Sequence, residues 1–86
     1  MLNLYDAIAV IKNIKHEAEK ALSIASSVDE VLEINRNYLG KEGRLTLAVE
    51  TLKDLAPQDR PAYGTTLTNL RNELSQAVKK AMSVKH

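Results

Sequence analysis

Apolar residues recur along this chain at spacings of three and four, the period of one helix face rather than of a strand. The first stripe is Leu4, Ile8, Ile11, Ala18, Leu22 and Ala25, with Lys15 at one seam position and Ile14 beside it. It predicts a helix over residues 3–25. Lys12, Lys15, Lys20, Glu17 and Glu19 surround the stripe and read as a solvated face. Ser26-Ser27 then breaks the pattern. Ser27-Val28-Asp29-Glu30 has the form of a capping box, in which the Ser hydroxyl accepts from the N–H three residues on and the Glu reaches back. A second helix over 28–39 follows, with Val28, Val31, Leu32, Asn35, Tyr38 and Leu39 along one face. Gly40 stands where a left-handed C-terminal cap is expected. A third helix over 44–55 carries Leu45, Val49, Leu52 and Leu55 and stops before Pro57. The last, over 60–84, carries Tyr63, Leu67, Leu70, Leu74, Ala77, Ala81 and Val84. That is a sustained heptad, the period of a supercoiled helix pair.

These elements predict an all-α fold in a single helical domain over residues 1–86. Its form is an antiparallel helical hairpin or coiled coil, with a long C-terminal helix packed by two or three shorter ones. Short connections make neighbouring helices antiparallel. All three glycines and both prolines lie in two segments, 38–46 and 57–64. Gly and Pro mark changes of direction, so Gly40, Gly43, Pro57, Pro61 and Gly64 read as structural turn positions.

Composition narrows the function. At 86 residues the chain is at most one small domain. A domain of that size buries only about 60% of its unfolded surface, so support from a partner chain or a larger protein is in keeping with its length. There is no Cys, and the two histidines, His16 and His86, are far apart, so no metal site is expected. A net charge of +1 argues against gripping nucleic acid by bulk charge alone. No apolar run approaches the roughly 18–20 residues of a membrane span, and no secretory signal is visible. A soluble cytoplasmic protein is the expectation. No nucleophile–base set or carboxylate pair stands out, and Gly40-Lys41-Glu42-Gly43 lacks the spacing of a phosphate-cradling loop. What remains is a binding surface. Arg36, Lys41, Arg44 and Arg60 fall in or beside the two Gly/Pro segments. They suit phosphate contact; Glu33, Glu42 and Asp59 stand beside them and can equally pair with them. Tyr38 and Tyr63 lie on apolar stripes, where core packing competes with base stacking.

Tyr38-Leu39-Gly40-Lys41-Glu42-Gly43-Arg44-Leu45-Thr46 resembles the segment Y-L-G-K-K-G-x-L-T of the bacterial phenylalanyl-tRNA synthetase alpha subunit. In that family P-E-E-R-P-x-x-G and I-N-x-L-K follow at the same distance. Here they are matched by Pro57-Gln58-Asp59-Arg60-Pro61-Ala62-Tyr63-Gly64 and Leu67-Thr68-Asn69-Leu70-Arg71. The likeness runs from about Ala18 onward, and the first helix fits by pattern only. Glu42 departs from a lysine, Gln58-Asp59 from two glutamates, and Thr68 from an asparagine. Asn35 stands where the family often has an arginine, with Arg36 beside it.

The resemblance implies the N-terminal helical appendage of a class II aminoacyl-tRNA synthetase, projecting from a heterotetramer of two alpha and two beta subunits. It implies a domain that helps hold phenylalanine-accepting tRNA by its phosphate backbone and is non-catalytic by itself. The implied partners are tRNA, the beta subunit and the rest of the alpha subunit. The catalytic domain, with its ATP and magnesium, lies further along the family's chain, so no cofactor is expected here. The tRNA-binding candidates are Lys41, Arg44, Arg60 and Arg36, and for Gly40 and Gly43 a backbone role is favoured. The helical pattern runs into His86 without a stop, as in a piece of a longer protein. The heptad supports an alternative, a free-standing helical module that pairs with another chain or with itself.

Overall fold

The computed structural model describes residues 2–85, and His86, into which the helical pattern runs, lies outside them. α1 spans Leu4–Ile24 and begins where the Asn3 side chain accepts the Tyr5 N–H at 2.7 Å. Its buried face is Ala7, Ile11, Ile14, Ala18 and Leu22. Ala7 and Ile14 therefore sit in the seam, while Leu4 and Ile8 pack at its margin. Lys15 is at the edge, its ammonium between Glu19 at 3.2 Å and Glu73 of the last helix at 3.3 Å. Burial pushes the Lys15 pKa down, but the two carboxylates outweigh it and hold the pKa above its ordinary value.

α2 spans Val28–Leu39. The Ser27 hydroxyl accepts the Glu30 N–H at 3.3 Å. The Glu30 carboxylate reaches one residue beyond the expected partner, taking the Ser26 N–H and the Ser26 hydroxyl, the latter at 2.8 Å. Val31 is buried, Ile34, Tyr38 and Leu39 pack against the core, and Leu32 turns out to be exposed. Gly40 does not adopt the left-handed cap: its φ is −65° and its ψ 177°. The chain instead leaves α2 extended and turns sharply. The Gly40 N–H donates to Arg36 O at 3.2 Å and the Gly43 N–H to Gly40 O at 2.9 Å, which puts Lys41 and Glu42 at the corners of the turn.

The expected helix over 44–55 is only partly α-helical. α3 covers Arg44–Leu47, and Ala48–Asp54 winds on as a 3-10 helix. Two residues further along the chain bond to this stretch. The Tyr63 hydroxyl donates to Ala48 O at 2.9 Å and Arg60 Nε to Leu52 O at 2.9 Å. Two carbonyls of the stretch thus take side-chain donors, and Leu52 O also accepts the Leu55 N–H at 3.3 Å in the tighter i→i+3 pattern. The changed winding leaves Leu45 and Leu55 buried and Val49 exposed. A short 3-10 turn, Pro57–Asp59, leads into α4, Arg60–Lys85.

α4 buries Tyr63, Leu67, Leu70, Leu74 and Val78. The expected seam holds for its first four members and then drifts. An α-helix of 3.6 residues per turn rotates about 20° per heptad against a strict seven-residue repeat. Val78 is buried while Ala77 and Ala81 are only partly covered, and Val84 is 71% exposed. The first four heptad positions and Val78 pack against α1 and α2 within the chain.

The path of the chain fixes the arrangement. α2 folds back on α1 after a three-residue link, Ala25–Ser27. The stretch 44–59 then returns the chain to the start of α1, where the Leu2 N–H donates to Asp54 O at 3.0 Å. α4 sets out from there beside α1 and in the same direction: Lys15 meets Glu73, and Leu22 faces Ala77 and Ala81. The result is a rod of 44 × 18 × 15 Å. Among the described residues no helix is long and apolar enough to cross a membrane.

Gly64, read from sequence as a turn position, lies inside α4. A Cβ there would meet nothing within 4 Å. Gly64→Ala is expected to stabilise the domain by about 0.5–1 kcal/mol, because alanine loses less backbone entropy in a helix. A higher urea midpoint is the readout, and a lower one would contradict the open environment of this position.

Candidate nucleic-acid interface

The four basic candidates separate into two kinds. Arg44 is held. It opens α3 after Gly43, and its Nη1 bonds Glu17 of α1 at 2.5 Å. Its guanidinium also lies over the Tyr38 ring, 5.5 Å from the centroid. The bond to Glu17 raises the Arg44 pKa, against a smaller opposing effect of burial. Arg60 is held as well, with Nε on the Leu52 carbonyl. Both residues stay exposed, so each keeps N–H groups facing solvent, but each also fastens one part of the fold to another.

Arg36 and Lys41 are different. Arg36 lies in the last turn of α2 and Lys41 at a corner of the turn that follows. Both side chains are exposed, and neither has a hydrogen bond or ion pair among the described residues. Glu33, Glu42 and Asp59, the acids beside the basic candidates in sequence, form no ion pair with them. The partner of Arg44 is Glu17, twenty-seven positions away, which neighbouring sequence does not reveal.

Gly43 sets the geometry of the turn. It is buried and precedes α3, and its carbonyl accepts the Leu47 N–H at 2.9 Å. A Cβ on Gly43 would stand 2.5 Å from the Tyr38 carbonyl carbon and 2.8 Å from the Leu39 nitrogen. The Thr46 hydroxyl donates to Leu39 O at 3.2 Å and ties α3 to the end of α2. Lys41 therefore projects from a rigid corner rather than a loose loop. Gly40 also serves by its lack of a side chain, since a Cβ there would fall on the Arg36 carbonyl oxygen. Pro57 opens the short 3-10 turn and Pro61 is the second residue of α4.

A further cation, Arg71, falls in the Leu67-Thr68-Asn69-Leu70-Arg71 motif, outside the four basic candidates. Arg71 lies on α4 and faces a polar cleft of about 420 Å³ between α2 and α4. The signal for it was the run Thr68, Asn72 and Ser75, a polar stripe at helical spacing opposite Asn35 and Leu39. Among the described residues no three His, Asp or Glu side chains gather closely enough to share a metal ion.

Comparison with known proteins gives the family of the chain. The family described as aminoacyl tRNA synthetase class II, N-terminal domain, matches residues 26–84. Among curated proteins, the phenylalanine–tRNA ligase alpha subunit of Lachnoclostridium phytofermentans is 35% identical over 68 residues, 79% of this chain and 20% of that protein. That of Natranaerobius thermophilus is 36% identical over 67 residues, 78% of this chain and 20% of that protein. That of Escherichia coli is 39% identical over 61 residues, 71% of this chain and 19% of that protein. The chain thus spans about a fifth of the length of these relatives. No solved structure matches.

Proposed function

Because this chain belongs to the N-terminal domain family of the class II aminoacyl-tRNA synthetases, in the form found in phenylalanyl-tRNA synthetase alpha subunits, we propose that it is a non-catalytic arm that holds tRNA by its phosphate backbone. The observation that carries the reading is the pair Arg36 and Lys41, exposed and unengaged at one rigid corner of the family-matched segment. Cations placed so contact phosphates without reading bases, and they fix register rather than sequence. Arg44 and Arg60 add to the same field through the N–H groups they keep toward solvent, while their other bonds brace the corner and the start of α4. The partners in this reading are tRNA, the rest of an alpha subunit and a beta subunit. No residue of this chain is assigned to ATP or magnesium, which belong to the catalytic part of such an enzyme.

The test is a titration of the chain with phenylalanine-accepting tRNA at about 50 mM and about 200 mM salt. Each phosphate contact contributes roughly 0.7–0.9 to the salt slope. The double variant Arg36→Ala, Lys41→Ala is expected to lower that slope by roughly 1.4–1.8 and to leave far-ultraviolet circular dichroism unchanged. Unaltered binding by the double variant would sink the assignment of these two residues. The pair is a cleaner probe than Arg44→Ala, which also removes the contacts to Glu17 and Tyr38.

A further inference from the structure

The cleft between α2 and α4 is lined by Asn35, Leu39, Thr68, Arg71, Asn72 and Ser75. No carboxylate lines it, and Arg71 is its only charge. Arg71 has no hydrogen bond or ion pair among the described residues, unlike Arg44 and Arg60. Around this cation stand two amides and two hydroxyls, each able both to donate and to accept. Leu39 supplies the apolar contact. α2 supplies both Asn35 and Leu39 to the cleft wall and Arg36 to the corner described above, so one helix carries residues of both.

We propose that this α2–α4 cleft takes one ribose–phosphate unit of an RNA backbone, with Arg71 on the phosphate and Asn72 and Thr68 on the ribose hydroxyl. The proposal rests on the reading that the domain holds tRNA, and it adds a contact site to that reading. A guanidinium suits phosphate oxygens by its planar fork of donors. Neutral groups that both donate and accept suit the 2′-hydroxyl, the feature that separates RNA from DNA at a given site. A cleft meant for an apolar helix would carry no such set.

The experiment measures affinity for tRNA and for an RNA stem-loop and its deoxy counterpart, at about 50 mM salt, with the parent chain and three variants. Arg71→Gln is expected to weaken tRNA binding several-fold and to lower the salt slope by roughly 0.7–0.9. Lys12→Gln, the same charge change on the outer face of α1, is the control and is expected to do clearly less. Asn72→Ala is expected to reduce the preference for the ribo over the deoxy stem-loop. If the parent binds tRNA and Arg71→Gln behaves like Lys12→Gln, the cleft is overturned and the domain reading stands. If the parent binds neither RNA, both are overturned. Equal affinity of the parent for the ribo and deoxy forms overturns the ribose contact. Binding of a polyglutamate peptide as tightly as RNA, lost in Arg71→Gln, would overturn the RNA assignment in favour of an acidic protein partner.

Discussion

Gly43→Ala is expected to destabilise the domain by about 2–3 kcal/mol, at the upper end of what forced overpacking costs. The added methyl would meet the backbone of Tyr38 and Leu39 at 2.5–2.8 Å. These are peptide atoms at the end of α2, not the tip of a flexible side chain, so relief requires that α2 and α3 separate. The Thr46–Leu39 bond and the buried Leu45 resist that movement. For a domain of this size, roughly 4–8 °C of melting temperature accompany each kcal/mol, so the melting temperature is expected to fall by roughly 8–24 °C. Thermal denaturation followed by circular dichroism measures it. Gly64→Ala is the matched control: the same chemical change, expected to act in the opposite direction, because nothing lies within 4 Å of its added atom. An unchanged melting temperature in Gly43→Ala would mean that the corner yields easily, which would remove the rigid support claimed for Lys41.

Tyr63→Ala is expected to cost about 3–5 kcal/mol, the range for deleting a large aromatic from a core. Tyr63 is 1% exposed and is among the largest fully buried side chains. It joins α4 to two other parts of the fold, packing near Ile11 and Ile14 of α1 and bonding Ala48 O in the 3-10 stretch. A loss of that size would consume much of the stability of a small domain, commonly about 5–15 kcal/mol in total. Tyr63→Phe separates the two roles. It keeps the ring and removes the hydroxyl, and it is expected to cost about 1 kcal/mol. Urea unfolding of both variants checks the division. If Phe proves as damaging as Ala, the hydrogen bond and not the packing holds Ala48–Asp54 in place.

The helices were legible because α1, α2 and α4 each carry an apolar stripe with a long uninterrupted period. Local sequence was enough to place them to within a residue or two, which is the usual fray of helix ends. The stretch 44–55 was not legible in the same way. Its apolar spacing is helical, but it winds mostly as a 3-10 helix whose carbonyls bond to Arg60 and Tyr63, residues outside the stretch. Lys15 misled in the seam because a long side chain at a helix edge can occupy a seam position by count while its ammonium reaches carboxylates at the surface. At the candidate site, the exposure of Arg36 and Lys41 followed from their place at a helix end and a turn. The engagement of Arg44 by Glu17 did not, since the two meet only after α1 and α3 pack. The cleft at Arg71 is a property of two helices together, and the polar stripe on α4 marks only one of its walls.

The bond from Leu2 to Asp54 bears on the order in which the chain folds. α2, the turn, α3 and the first half of α4 contact one another over short separations in sequence, so they can assemble early at small entropic cost. Setting α1 beside α4 closes a much longer loop, and closure cost grows with the logarithm of its length. Contacts of that kind slow folding. α1 also folds onto α2 across the short link Ala25–Ser27, so it joins the core through both a sequence-local and a long-range seam. It also lies largely outside the segment shared with the family, which begins at residue 26. The matched segment carries the corner bearing Lys41, and α1, packed along it, supplies the apolar face that completes its core.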